Sequence, residues 1–125
     1  MAKATVHPNH RLISSEDVKG TNVYATDGTG IGDVDYLLID NVCGRVAYAV
    51  IRFGGFLGLG QSHYPVPWAA LKYDVNLGGY VTGITEQQLN DAPAFSIASW
   101  GDRSVEAQVH KHYGVTRYWD HAAPA

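Results

Sequence analysis

The chain has one cysteine, Cys43, in 125 residues. A lone thiol cannot close an internal disulfide, so packing must hold the fold, and a reducing compartment is expected. Basic charge is also scarce. Nine Lys and Arg stand against twelve Asp and Glu, a formal net charge of −3. No run of Lys or Arg occurs. Nucleic-acid surfaces need a basic patch, so nucleic acid is disfavoured as a partner. Long apolar runs are missing too. The longest, Val46 to Ile51, is far shorter than the ~20 residues that cross a bilayer. No membrane insertion is expected. The opening M-A-K-A-T-V-H-P lacks the apolar stretch of a secretory signal. A cytoplasmic location is the expectation.

What is present is globular. Hydrophobic residues make up 46% and charged residues 17%, enough for one domain with a real core. The stretch Arg45 to Leu71 organises the rest. R-V-A-Y-A-V-I-R-F is a strand rich in β-branched and aromatic residues. Val46, Tyr48 and Val50 share one face; Ala47, Ala49, Ile51 and Phe53 share the other. Neither face is polar, so both need cover. The loop Gly54 to Ser62 follows, with G-G-x-x-G-x-G spacing. A phosphate cradle would need a helix N-terminus directly after it. Tyr64-Pro65-Val66-Pro67 follows instead. The loop's Phe56, Leu57 and Leu59 therefore read as apolar contacts for a partner or a packed lid. Pro65 and Pro67 mean that the next strand lies at a sheet edge or ends early. Trp68 and Leu71 are expected to be buried.

Turn and cap chemistry supplies the other boundaries. Arg11 to Ile13 reads as a short strand, and Ser14 caps a single helical turn ending at Gly20. Asn22 to Ala25 is a strand closed by Asp27-Gly28, a hairpin signal. Ile31 to Asp40 is the next strand, with Val34, Tyr36 and Leu38 facing the core. Asn41-Val42-Cys43-Gly44 turns the chain into the central strand. Lys72 to Val75 and Tyr80 to Thr82 form a hairpin around Asn76-Leu77-Gly78-Gly79. Thr85 and Gln88 form a capping box for a short helix stopped by Pro93. Asp102 caps a helix running to Tyr113, with Gly114 at the C′ position. Val105, Val109, His112 and Tyr113 make its apolar stripe.

The run Gly30 to Pro93 resembles the PRC-barrel domain. Its pieces are I-G-D-V-D-Y-L-L-I-D, G-R-V-A-Y-A-V-I-R-F-G-G-F-L-G-L-G, V-P-W-A-A-L and T-E-Q-Q-L, and the likeness extends back to Leu12. That family includes the cytoplasmic part of the photosynthetic reaction-centre H subunit, the C-terminal domain of a ribosome-maturation factor, and short stand-alone proteins. The H subunit's transmembrane helix and the ribosome factor's separate N-terminal domain have no counterpart in the sequence. The resemblance implies a mainly β fold: a small, highly curved antiparallel β-barrel of five or six strands, with short helical turns and a C-terminal helix. The expected organisation is a leader over 1–10, the barrel over 11–95, and a helix with an aromatic tail over 96–125. Members share no enzymatic reaction.

Candidate chemistry is thin. Asp33 and Asp35 share a strand face and read as solvating charges rather than an acid–base pair. Cys43 sits in a turn with no histidine close in sequence to act as its base. The six histidines do not converge in sequence: His110 and His112 differ by two on a helix and point apart. They read as surface residues. No catalytic residue, cofactor or metal is expected. The expectation is a non-catalytic adaptor or protein-interaction module that self-associates as a homodimer. Phe56, Leu57, Leu59 and Tyr48 are its partner-binding candidates. An RNA-processing or ribosome-associated factor is the competing class, and a basic face would favour it. A small-molecule or electron-transport-associated sensor is the third. It would need an apolar pocket with a few converging polar groups.

Overall fold

The computed structural model describes residues 12–54, 61–93, 99–100 and 102–120. Ser14 caps helix α1 (Ser15–Val18), its hydroxyl accepting from the Glu16 N–H at 3.1 Å. Six strands follow: β1 (Asn22–Ala25), β2 (Gly30–Ile39), β3 (Val46–Gly54), β4 (Gln61–Pro67), β5 (Lys72–Asp74) and β6 (Gly79–Thr82). A 3₁₀ turn (Trp68–Ala70) joins β4 to β5. The Thr85–Gln88 capping box opens α2 (Glu86–Asn90). Asp102 caps α3 (Arg103–Tyr113), accepting from Ser104 N–H at 2.9 Å, and Gly114 ends it at φ 69°. A side chain there would strain against its own backbone, which is why glycine occupies that position.

The strands form a single sheet in the order β4-β3-β2-β1-β6-β5. The mainly β architecture and its six strands agree with the sequence. The expected antiparallel barrel differs in two respects. The sheet is mixed, because β1 and β6 pair in parallel, Val23 opposite Tyr80. It is also open, with β4 and β5 as its two ends. Every hairpin turn encodes a local antiparallel pair. The β1–β6 contact joins distant parts of the chain and has no turn to announce it. β4 lies at an edge, where Pro65 and Pro67 lose no ladder bond that a further strand would need.

The core centres on β3. Ala47, Tyr48, Ala49, Val50 and Ile51 are all under 5% exposed. Val18, Val23, Val34, Val66, Leu89 and Val109 close around them. Each such aliphatic side chain gains about 1.5–3 kcal/mol on leaving water. Both faces of this strand are thus covered within one chain. Asp33 and Asp35 do more than solvate β2. Asp33 pairs with Arg52 of β3, and Asp35 lies 3.1 Å from His63 of β4. They begin a cross-strand charge ladder.

Several expectations change. Leu12 and Ile13 are in no strand and are exposed. Leu71 is buried, but Trp68 is only half-buried, its ring edge-on to Tyr80 at 5.5 Å. The buried face of α3 is Glu106, Val109, His110 and Tyr113, not the stripe through Val105 and His112. Two polar residues join it because polar partners wait on the sheet.

Candidate functional site

A cleft of about 610 Å³ opens between the end of β2 and the start of α3. Its apolar walls include Tyr36, Leu37, Leu38 and Ile39 of β2, Ala47 of β3, and Trp100 just before α3. Asp40, Tyr48, Arg103, Glu106 and Tyr118 supply its polar groups. β2 ends here because the Asp40 side chain turns back on the following loop. Its Oδ1 accepts from the Val42 N–H at 2.9 Å and the Cys43 N–H at 3.3 Å.

The polar groups form one connected network. The Tyr48 hydroxyl donates to Glu106 Oε1 at 2.7 Å and lies 3.1 Å from His110 Nε2. The tyrosine's one hydrogen goes to the carboxylate, so Nε2 must carry its own and donate to the tyrosine oxygen. His110 Nδ1 is buried with no hydrogen bond of ordinary geometry among the described residues, and the backbone of Val115 and Thr116 lies close to the ring. Arg103 donates to Glu106 Oε1 at 3.3 Å and to the Tyr118 hydroxyl at 3.0 Å, and reaches Asp40 at 3.7 Å. Its guanidinium stacks on Trp119 at 4.1 Å. The Tyr118 hydroxyl donates to Asp40 Oδ2 at 2.5 Å. Behind the tail, Arg45 donates to the Tyr118 carbonyl at 3.2 Å.

Electrostatics follow from burial and these bonds. The Tyr118 hydrogen bond holds the Asp40 carboxyl at about 2. Burial, then the bond to Asp40, pushes the Tyr118 phenol up to about 12. Burial, then Glu106, drives Tyr48 upward as well. Burial lowers His110, favouring its neutral ring. At neutral pH both phenols are therefore fixed donors.

Of the residues singled out from the sequence, Phe56, Leu57 and Leu59 lie outside the described residues. Tyr48 was placed on a partner face. It is 2% exposed and engaged by Glu106 and His110 of its own chain, so it is no free docking residue. His110, expected at the surface, is also 2% exposed. His112 points elsewhere, its Nε2 at 2.6 Å from the Gln88 carbonyl. Cys43 is exposed in its turn. Among the described residues no three His, Cys, Asp or Glu side chains converge as metal ligands would. Asp40, Trp100, Arg103, Glu106 and Tyr118 were not anticipated. One signal was readable: Glu106 and His110, four apart, flank Val109 on the same helical face. Polar residues on an apolar stripe call for buried partners.

A family model described as the PRC-barrel domain matches residues 10–89. No curated protein matches the chain. The match ends before α3, so the sheet lies inside it while Trp100 and the helical wall of the cleft lie beyond it. It covers well over half of the residues, and on that ground this chain belongs to the PRC-barrel domain family.

Proposed function

We propose that this protein is a non-catalytic binding module whose working site is the cleft between β2 and α3. The observation that carries this reading is the cleft itself. Its volume of about 610 Å³ is in the usual range for ligand pockets, and apolar walls with a few convergent polar groups are their usual make-up. The small-molecule class needed such a pocket. A reaction is not supported, because the two phenols and the guanidinium are each committed to a neighbour. The phenols are donors with raised pKa, and Arg103 is neutralised by Asp40 and Glu106. Cys43 is exposed, and its backbone N–H, not its thiol, meets the Asp40 carboxylate. The RNA or ribosome class loses support for a similar reason. Arg52, Arg103 and Arg117 each pair with a carboxylate, so among the described residues these arginines do not add up to a basic face. No helix among those residues is long and apolar enough to cross a membrane.

The neutral apolar dye N-phenyl-1-naphthylamine tests the site. Its emission should rise on binding to the native protein and stay low with Leu38→Arg, which fills the cleft, at unchanged circular dichroism. Equal emission from both proteins rejects the cleft as a binding site.

Self-association is the second reading. The two-faced strand no longer supports it, since β3 is covered in cis. What supports it is the exposure of Ile39 at 59% and Val42 at 99%, beside the cleft. Light scattering behind size exclusion should give twice the 13.6 kDa of one chain, and Ile39→Asp with Val42→Asp should halve it. A single-chain mass at high concentration rejects the homodimer.

A further inference from the structure

We infer that the cleft selects a small organic cation: a protonated amine on an apolar body. This rests on the cleft being a binding site. Two carboxylates, Asp40 and Glu106, face one guanidinium, Arg103, leaving one net negative charge in the lining. That excess is not spread evenly. Asp40 is the more fully engaged: Oδ1 takes two backbone N–H groups and Oδ2 takes the Tyr118 hydroxyl, with Arg103 only an ion-pair neighbour at 3.7 Å. Glu106 is different. Its Oε1 accepts from Tyr48 and Arg103, while among the described residues Oε2 takes a single long bond, 3.5 Å from Arg103. A carboxylate oxygen can accept two good bonds. Glu106 is 8% exposed, so little solvent competes for the vacant capacity. An ammonium N–H satisfies it with a charge-assisted bond.

An anion has no comparable host. Arg103 already donates to Glu106 and Tyr118, pairs with Asp40, and stacks on Trp119. Binding a carboxylate or phosphate there would require breaking those contacts beside a negative lining. A neutral ligand could use the walls and even donate an O–H to the Glu106 oxygen, but it would bring no charge to offset the negative lining. The walls favour the cation as well. Tyr36, Trp100 and Tyr118 line the same space, and aromatic faces attract cations. The apolar body would lie along Leu38 and Ile39.

The test uses three matched compounds, 4-phenylbutylamine, 4-phenylbutanol and 4-phenylbutanoate, displacing the neutral dye from the full chain. The amine should bind at least tenfold tighter than either of the others, and the preference should shrink as salt rises. Glu106→Gln should remove the preference while the dye still binds. Should that variant unfold, Tyr36→Lys gives an independent readout. It adds an opposing ammonium at the exposed rim without touching the network, and it too should abolish the preference. Dye binding with equal affinity for amine and alcohol overturns the cation inference and leaves the site standing. Absence of dye binding to the native protein removes the site and the inference together.

Discussion

The Tyr48 hydroxyl is the residue-scale link between the sheet and the tail. Removing it as Tyr48→Phe leaves Glu106 short of a donor and His110 Nε2 without an acceptor. The cost should be about 1–3 kcal/mol, as for buried groups deprived of a partner, measured by urea unfolding. A negligible change would mean the network is already wet. Tyr113→Phe should behave oppositely. That hydroxyl is buried with no partner among the described residues, and burial pushes it up to about 12. Deleting it removes an unmet polar group, so stability should hold or rise by up to about 1 kcal/mol; a clear loss would reveal a bond to that oxygen. Trp68→Ala should cost about 2 kcal/mol, below the 3–5 of full aromatic burial, because the ring is half open.

Acid should loosen the molecule in two steps. His110 has a lowered pKa in the fold, so the unfolded chain binds its proton first. Its contribution is complete above about 6.5, the ordinary value, and is lost as pH falls below that. Asp40, held at about 2, contributes fully above about 4 and loses that contribution as pH falls towards 2. Unfolding free energy from pH 7.5 to 5 should therefore fall more steeply in the native protein than in His110→Asn. Parallel slopes would show that His110 does not titrate with folding.

At the scale of elements, α3 depends on its ends and on what it covers. Asp102→Ala removes the acceptor for Ser104 N–H and should cost about 1 kcal/mol. A shift in melting temperature reports it, and an unchanged melt would place the cap elsewhere. β4 and β5 face a different problem, since open sheet ends invite pairing with other chains. β4 carries Pro65 and Pro67, while β5 is three residues long with a charge at either end, Lys72 and Asp74. Both devices discourage edge-to-edge growth, so any homodimer should use the surface beside the cleft rather than a continuous sheet.

For the whole molecule, the buried core of this chain runs past the region matched to the family. The matched region stops at residue 89, yet Val109, His110 and Tyr113 are buried beyond it. A chain ending at Trp100 would expose Tyr48, a large ring with a hydroxyl, to water. It should lose cooperative thermal unfolding. A sharp melt at the native temperature would instead show that the sheet stands alone and the tail is an accessory.

Much of the fold was legible because it is local. Ser14, the Thr85–Gln88 box, Asp102 and Gly114 act within a few residues of themselves, so spacing alone located α1, α2 and α3. The two apolar faces of β3 predicted a covered strand, and the prolines of β4 predicted an edge or an early stop, of which the edge is what forms. Three things were not legible. The parallel β1–β6 pair closes a long loop without a turn signal. The face that α3 buries was set by Tyr48, 58 residues before Glu106, whose hydroxyl draws two polar side chains inward. The cleft needs Asp40, Arg103 and Tyr118, distant in sequence, to meet at one place. Caps, turns and periodicity are written in neighbouring residues. Which polar groups find each other is decided only when packing brings remote segments within hydrogen-bond reach and excludes the water that would otherwise satisfy them.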